Sequence, residues 1–294
     1  MATLKDNAHL PVFHSKEAIR SIVANWRESG RTIALAPTMG ALHDGHLSLV
    51  EKGRRVCDRV VASIFVNPKQ FAPHEDLATY PRTFEDDLRL LAAAACDGVY
   101  APDAAQMYPD GFQTSVAVNA LAAPLCGESR PHFFGGVATV VCKLLLQVRP
   151  DVAVFGEKDY QQLLVIRRMV ADLDIDVEIV GAPIVRHTDG LAMSSRNAYL
   201  TPENRARAVI IPATLAETAE VIGAGSRPSA AIAAARARIE AAGVDRIDYI
   251  EARRADDLAP LVDGDDAPAR VFAAVVIGGT RLIDNWAVPR NGNP

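Results

Sequence analysis

Cysteines are scarce in this sequence, and long apolar runs are absent. Only four of the 294 residues are cysteine (Cys57, Cys96, Cys126 and Cys142), and no pair has the C-x-x-C spacing, which excludes redox and zinc motifs of that kind. Scattered cysteines are typical of buried thiols in a reducing compartment. No run approaches the roughly 20 apolar residues that cross a bilayer, and residues 1–20 lack the apolar stretch of an export signal. We therefore expect a cytoplasmic protein without a membrane partner.

The sequence also lacks an excess of positive charge and several common functional loops. Its 31 Lys and Arg residues against 36 Asp and Glu residues leave a net charge of −5, so electrostatics offers no reason to expect nucleic acid as a partner. No G-x-x-x-x-G-K-[ST] loop occurs, no G-x-G-x-x-G follows a strand, and no G-x-S-x-G is present. If a nucleotide binds, its phosphates must be held by a different kind of loop.

The first two thirds of the chain alternates short apolar runs with helical patterns. Such alternation is typical of βαβ units and of a mainly parallel sheet with helices on both faces. After about Asp189 the pattern changes to Ala-rich helices, predicted at residues 201–223 and 229–242, and a hairpin at Gly278-Gly279. We predict an α/β domain over residues 1–188 and a smaller C-terminal α+β domain over residues 189–294. The predicted strands of the first domain are residues 32–36, 60–66, 98–101, 152–155 and 178–185, with helices at 45–57, 83–95, 137–147 and 160–173.

The predicted sheet brings several polar loops together. Right-handed crossovers place the carboxyl ends of parallel strands at one edge, where the ligands of such sheets bind. Four loops that carry polar or phosphate-suited residues follow the strands that end near Ala36, Val66, Phe155 and Val185. Polar residues without a common task would be scattered over both edges. We therefore predict a nucleoside triphosphate site at the carboxyl edge.

The strongest single segment is residues 37–46, PTMGALHDGH, which follows the first strand and enters a helix. Gly40 and Gly45 allow a tight turn and a close approach of ligand to backbone. The helix N-terminus provides N–H donors and a partial positive charge for an anion, and His43 and His46 lie on one side of that turn. The alternatives are two surface histidines that cap the helix and a zinc site, which lacks two further ligands.

Other loops at the same edge carry a second set of polar residues. Lys158 follows the fourth strand, where a lysine meets phosphate as a point charge, whereas Asp159 is most simply explained as a helix cap. Residues 193–196, MSSR, offer two hydroxyls and a guanidinium for a polyphosphate, although such strings also occur in ordinary loops. Residues 67–71, NPKQF, are by themselves best explained as a turn before a core phenylalanine.

Two acids begin the third predicted helix. Asp86 and Asp87 on a solvated face would simply complement the helix dipole. If one of them reaches the ligand edge, its carboxylate can hold Mg²⁺ through water beside the phosphates.

Five motifs of this chain resemble, in order, those of the pantoate–β-alanine ligase (pantothenate synthetase) family. They are PTMGALHDGH, FVNPKQF, YPRTFEDDL, FGEKDYQQL and DGLAMSSRNAYL, and the similarity as a whole runs from about residue 12 to residue 201. The resemblance implies a Rossmann-like nucleotidyltransferase fold whose H-x-G-H signature is residues 43–46. It also implies a cytoplasmic homodimer that uses ATP and Mg²⁺ to join pantoate and β-alanine through a pantoyl adenylate, with release of AMP and pyrophosphate.

The resemblance further implies the residues of the site. His46 matches the family's proton donor, and His43, Lys158 and Arg196 are expected to share catalysis by balancing charge on the phosphates. Gln70 is expected to contact both pantoate and β-alanine, Gln162 to hold pantoate, and Asp87 to be associated with Mg²⁺. The implied ATP-binding residues are Met39, Gly40, Ala41, Leu42, His43, Asp44, Gly45, His46, Gly156, Glu157, Lys158, Asp159, Val185, Met193, Ser194, Ser195 and Arg196.

One motif departs from the family pattern, and two other functions stay open. Residues 130–137 read RPHFFGGV where the family usually has R-P-x-H-F-x-G-V, so Phe133 stands at the usual histidine position, and neither His132 nor Phe133 is counted in the predicted site. The first alternative function is a nucleotidyltransferase of the same superfamily that leaves AMP or CMP on its product. The second is a non-catalytic nucleotide-binding dimer, which would bind ATP but form no AMP.

Overall fold

The computed structural model describes residues 10–73 and 75–289, and its larger sheet has six strands. All of the paired strands are parallel, in the order β1-β4-β3-β2-β5-β6. The order reverses between β2 and β5, so the ligand edge expected for such a sheet lies at the carboxyl ends of these two strands. The strands are β1 (Val12–Phe13), β2 (Ile33–Thr38), β3 (Arg59–Ile64), β4 (Gly98–Tyr100), β5 (Val152–Gly156) and β6 (Glu178–Ala182).

Helices connect these strands, and both faces of the sheet are buried. Ala34 and Ala36 of β2 join a core cluster with Leu49 and Val50 of α2, while the alternate residue Leu35 is also fully buried. Successive side chains of a strand point to opposite faces, so both faces of β2 are covered. The helices of this part of the chain are α1 (Lys16–Glu28), α2 (Asp44–Val56), α3 (Phe84–Ala93), α4 (Ala104–Met107), α5 (Asn119–Ala122), α6 (Cys126–Ser129), α7 (Phe133–Val148) and α8 (Tyr160–Asp172).

The C-terminal part has its own sheet and its own core. Its three strands are antiparallel in the order β7-β8-β9, with bounds β7 (Arg246–Arg254), β8 (Ala269–Ile277) and β9 (Thr280–Ala287). Gly278 and Gly279 link β8 to β9 with φ of 57° and 74°, as a two-residue hairpin turn requires. Buried residues of helices α9 (Pro202–Ala208), α10 (Ile210–Gly223) and α11 (Pro228–Ala241) pack with β8 in one cluster. The predicted fold class, a parallel α/β sheet with a smaller C-terminal α+β part, is confirmed.

Two element boundaries differ from the predicted ones for reasons that proline explains. The strand predicted to end at Ala36 continues to Thr38, since β2 pairs with β5 only at Ala34 and Leu35 and Pro37 lies beyond that ladder. The single helix predicted from residue 201 to 223 is two helices, α9 and α10. Pro212 lacks the N–H that would bond the carbonyl of Ala208, where α9 ends.

By its internal contacts the chain divides into two compact units. Unit 1 comprises residues 1–118, 132–156 and 166–182, and unit 2 comprises residues 119–131, 157–165 and 183–294. The boundary predicted between residues 188 and 189 stays a prediction. Residues 1–9, part of the segment in which we expect no export signal, lie outside the described residues. Within the described ranges, no helix combines the length and the apolar character that a membrane span needs.

Candidate active site

A buried carboxylate shapes the loop between β2 and α2. The Asp87 side chain is 1% exposed, and its Oδ2 accepts a hydrogen bond from the Ala41 N–H at 3.0 Å while Oδ1 accepts one from Leu42 N–H at 2.9 Å. Gly40 and Ala41 both have positive φ. A Cβ on Gly40 would lie 2.9 Å from Asp87 Oδ2, so the close approach of this loop to the carboxylate requires glycine at that position.

The two histidines of the loop cap helix α2 together. His43 is the N-cap residue, and its Nδ1 accepts a hydrogen bond from the Gly45 N–H at 3.1 Å. His46 Nδ1 lies 3.4 Å from the His43 N–H, and the two ring centroids are 4.1 Å apart. Because each Nδ1 accepts from the backbone, each neutral ring carries its proton on Nε2. The capping alternative is therefore observed, on half-buried rings, and it leaves Nε2 of each ring as the donor.

The loop after β3 brings two predicted site residues into contact. Gln70 ends a short 3₁₀ helix, Pro68–Gln70, and is 8% exposed. Its Nε2 lies 3.1 Å from the sulfur of Met39 in the histidine loop. Phe71 packs edge-on against Tyr80 with a centroid distance of 6.0 Å, as the simpler core interpretation predicts. The predicted substrate residue and the predicted ATP residue are thus neighbours within unit 1.

In unit 2, the segment that follows β5 is held by the C-terminal hairpin. Asn285 of β9 is 1% exposed, and its Nδ2 donates hydrogen bonds to the carbonyl oxygens of Glu157 at 2.9 Å and Lys158 at 3.0 Å. Arg270 Nη1 lies 3.4 Å from Glu157 Oε2. The Lys158 ammonium is 3.8 Å from Asp159 Oδ2, with a side chain 20% exposed. The backbone of Lys158 is therefore fixed by residues more than a hundred positions away.

Of the two neighbouring glutamines at the start of α8, one is structural. Gln161 is buried, and its Oε1 accepts from the Cys126 N–H at 3.1 Å. Its Nε2 donates to the carbonyl oxygens of Leu121 and Pro124 at 2.9 and 2.6 Å. The half-buried Gln162 remains the glutamine of this pair that is predicted to hold pantoate.

The segment after β6 folds into a small loop that places four predicted residues close together. Met193 N–H donates to the Val185 carbonyl at 3.0 Å, and Ser194 Oγ accepts from the Arg196 N–H at 3.3 Å. Ser194 thereby caps a 3₁₀ helix, Ser195–Tyr199. Arg186 of the same loop makes a bidentate ion pair with Asp284 of β9, at 2.7 and 3.0 Å.

The family model of pantoate–β-alanine ligase matches residues 11–287 of the chain. The chain belongs to the pantoate–β-alanine ligase family. A pantothenate synthetase of Rhodopseudomonas palustris (strain HaA2) is 54% identical over 272 residues, which are 92% of this chain and 96% of the relative. A pantothenate synthetase of Caulobacter vibrioides is 52% identical over 92% of this chain and 95% of the relative.

Solved structures of the same family show the same fold. The pantothenate synthetase of Thermus thermophilus superposes with a TM-score of 0.90 at 45% identity, over 95% of this chain and 99% of that one. The pantoate–β-alanine ligase of Francisella tularensis, solved in complex with β,γ-ATP and β-alanine, has a TM-score of 0.81 at 33% identity, over 97% of this chain and 100% of that one.

The altered motif of this ligase lies at the start of α7. Phe133 is the first residue of the helix, and Phe134 is 3% exposed and packs edge-on against Phe133 at a centroid distance of 4.9 Å. His132 precedes the helix and is exposed. The second aromatic residue of the motif is therefore a core residue of the ligase.

Several residues that organise the site were not predicted from the sequence. Asn285, Arg270 and Asp284 lie in the C-terminal part of the chain, outside the five motifs, and no local pattern marks them. No local pattern reveals the contacts of Asn67 with Tyr108 and Gly136 either, because these partners are 41 and 69 positions away. A cluster of three or more possible metal ligands does not occur among residues 10–73 and 75–289.

Proposed function

We propose that this pantoate–β-alanine ligase forms pantothenate in two steps, through a pantoyl adenylate. A carboxylate oxygen of pantoate attacks the α-phosphorus of ATP, the bond from that phosphorus to the β-phosphate breaks, and pyrophosphate leaves. The amine of β-alanine then attacks the acyl carbon, the acyl–phosphate bond breaks, and AMP leaves as the amine loses a proton. A bare carboxylate is a poor acyl donor, which is why activation precedes amide formation.

The observation that carries the proposal is the pair of histidines at the N-terminus of α2. Both rings turn Nδ1 to the backbone, so Nε2 is the ring nitrogen of His46 and of His43 that carries the proton, and we assign to it the hydrogen bond to a phosphate oxygen. The N–H groups of the first turn add partial positive charge. Donors held in place before the reaction stabilise developing charge without reorganisation.

Residues of unit 2 supply the cationic part of this proposal. The Lys158 ammonium and the Arg196 guanidinium balance the phosphate charge, and the hydroxyls of Ser194 and Ser195 bind phosphate rather than act as nucleophiles. Gln162 holds pantoate, and in unit 1 Gln70 contacts pantoate and β-alanine. The remaining proposed ATP contacts are Met39, Gly40, Ala41, Leu42, Asp44, Gly45, Gly156, Glu157, Asp159, Val185 and Met193.

Among the proposed site residues, Asp87 is the carboxylate that we associate with Mg²⁺. Mg²⁺ is commonly bound by one or two carboxylates together with substrate phosphates and water, and Asp87 presents a buried carboxylate beside the proposed phosphate loop. When bound, the ion would neutralise charge on the phosphates. Asp87 itself holds the backbone of Ala41 and Leu42 in the conformation that faces the nucleotide.

Isotope exchange between pyrophosphate and ATP tests the order of the steps. A pantoyl adenylate predicts exchange that requires pantoate and does not require β-alanine, with AMP and pantothenate formed in equal amounts once β-alanine is added. Exchange that needs the amine would replace the two-step scheme with a concerted one. A product that retains its nucleotide, or ATP binding without AMP formation, would favour the two alternative functions instead.

The resemblance to the family also supports a cytoplasmic homodimer. Light scattering coupled to gel filtration should then give a mass of twice the chain's 31.5 kDa. A mass of one chain at micromolar concentration would contradict the dimer without affecting the proposed chemistry.

A further inference from the structure

A buried carboxamide beside Gln70 uses all of its hydrogen-bonding positions on the protein itself. Asn67 is 1% exposed, and its Oδ1 accepts from the Tyr108 hydroxyl at 2.7 Å and from the Lys69 N–H at 3.2 Å. Its Nδ2 donates to Gln70 Oε1 at 3.0 Å and to the Gly136 carbonyl at 3.1 Å. A carboxamide offers two N–H groups and two lone pairs, so Asn67 is fully engaged in the orientation shown.

That orientation of Asn67 admits no flip. The Lys69 backbone N–H can only donate, and the Gly136 carbonyl can only accept. Exchange of oxygen and nitrogen on Asn67 would therefore set donor against donor and acceptor against acceptor. The amide group must point Nδ2–H at Gln70, which in turn must present Oε1 to Asn67.

The contact with Asn67 also determines where Nε2 of the Gln70 carboxamide points. With Oε1 engaged by Asn67, the Nε2–H₂ group is the end directed towards the histidine loop, where it lies 3.1 Å from the Met39 sulfur. A thioether is a weak acceptor. Gln70 thus offers a donor to the loop side rather than an acceptor.

Tyr108 is the donor at the start of this series, and its ring is held firmly. The ring lies 5.1 Å from Phe112 and 6.2 Å from Phe65 between centroids, and the Lys69 ammonium lies 5.0 Å from its centre. Burial raises the pKa of the Tyr108 phenol, which therefore remains a donor throughout the neutral range.

We propose that Tyr108 is a positioning residue for the ligation: its hydroxyl, together with the Lys69 N–H and the Gly136 carbonyl, holds Asn67 in place, and Asn67 fixes Gln70 so that Nε2–H, and not Oε1, meets the carboxylate of pantoate. The proposal rests on the contact between Gln70 and substrate in the proposed function. A carboxylate only accepts hydrogen bonds, so a flipped Gln70 would set oxygen against oxygen. The polarity of the series thereby selects a hydrogen-bond acceptor at this position, as a carboxylate oxygen is.

Tyr108→Phe tests the proposal, because it removes the donor and keeps the ring. Loss of one neutral hydrogen bond should raise the KM for pantoate by about three- to tenfold, with little change in the KM for ATP. Tyr100→Phe is a matched control, since the Tyr100 hydroxyl also donates at 2.7 Å, to Gln147 Oε1, in the core of unit 1. It should lower the melting temperature but leave the KM for pantoate unchanged.

A double-mutant cycle with Gln70→Ala separates positioning from general structure. If Tyr108 acts through Gln70, adding Tyr108→Phe to Gln70→Ala should cost no further kcat/KM for pantoate. Additive losses, or a wild-type KM in Tyr108→Phe, would overturn the positioning role while leaving Gln70 in place. A wild-type kcat/KM in Gln70→Ala would instead remove Gln70 from the proposed function, and the inference with it.

Discussion

The proposed phosphate contacts of unit 1 and those of unit 2 lie on segments that are held in different ways. In the histidine loop of unit 1, the ring of His43 bonds a backbone group two residues away and that of His46 one three residues away. In unit 2, the backbone at Lys158 is bonded by Asn285, 127 positions further on, and Arg186 is paired with Asp284, 98 positions further on. Local contacts therefore arrange the histidines, whereas the C-terminal hairpin arranges the lysine and serine–arginine segments.

This difference explains why the conformation of the histidine loop could be predicted from the sequence. A glycine turn, a histidine N-cap and a second histidine three residues later form one short string whose geometry follows from helix capping. No comparable short motif predicts the contacts that Asn285 and Asp284 of β9 make with the unit 2 segments. Strand β9 thus stabilises the proposed site segments of unit 2, although no motif marks it.

The largest expected effect is on kcat, and it comes from removing a side chain that is proposed to contact the phosphates. Lys158→Ala and His46→Ala should each lower kcat by about 10²–10³, the usual loss for one preorganised donor. Steady-state kinetics on folded variants checks this, with Lys16→Ala, on the half-exposed start of α1, as the control. Unchanged turnover in Lys158→Ala would remove that residue from the phosphate contacts and leave His46 as the only phosphate contact that this pair of variants supports.

Arg186→Leu should remove the ion pair between the loop after β6 and Asp284 of β9 in unit 2. The side chain of Asp284 is 3% exposed, and removal of its partner leaves a buried charge, which costs about 3 kcal/mol of the free energy of unfolding. Denaturant unfolding measures the loss. Arg205→Leu is a control, because its pair with Asp189 has a carboxylate 35% exposed. Equal losses in the two variants would show that burial of the Asp284 pair is unimportant.

Asp87→Asn should disturb the histidine loop by removing the carboxylate that binds the backbone of Ala41 and Leu42. An amide nitrogen would face the backbone N–H of Ala41 or Leu42, and one unsatisfied buried donor costs about 1–3 kcal/mol. We expect a raised KM for ATP together with the loss of stability. Asp86→Asn is the adjacent control, since that side chain is 60% exposed. An unaltered ATP KM in Asp87→Asn would show that the loop keeps its shape without the carboxylate.

The smallest effect is expected at the opposite edge of the larger sheet. Hydrogen bonds from the Thr32 N–H and hydroxyl, both at 3.0 Å, hold the pKa of Asp58 below its usual value. Stability from this carboxylate is present above its unfolded pKa and is lost as the pH falls through the lower folded value. Asp58→Asn should therefore be slightly less stable at pH 7, with a deficit that vanishes in acid and with unchanged kinetics. A change in kcat or KM in Asp58→Asn would show that this edge of the sheet affects the proposed site at the carboxyl edge.

Much of the fold could be predicted from the sequence, and less of the site. The alternation of strands and helices, the C-terminal hairpin at Gly278-Gly279 and the parallel sheet are all confirmed. The break between α9 and α10 was missed, although Pro212 was visible, because proline is also tolerated in the first turn of a helix. The roles of the individual site residues stay predictions that the experiments above decide.

The sequence by itself determined the alternation of strands and helices, the family and the turn that carries His43 and His46, since the residue patterns and motifs behind them are short and local. Only the tertiary structure decided that Gln161 is structural, that Asn285 and Asp284 hold the unit 2 segments, and that Asn67, bonded by Tyr108, donates to Oε1 of Gln70. Hydrogen bonds between residues far apart in the chain leave no periodic trace in the sequence, because chain packing alone brings their donors and acceptors within about 3 Å.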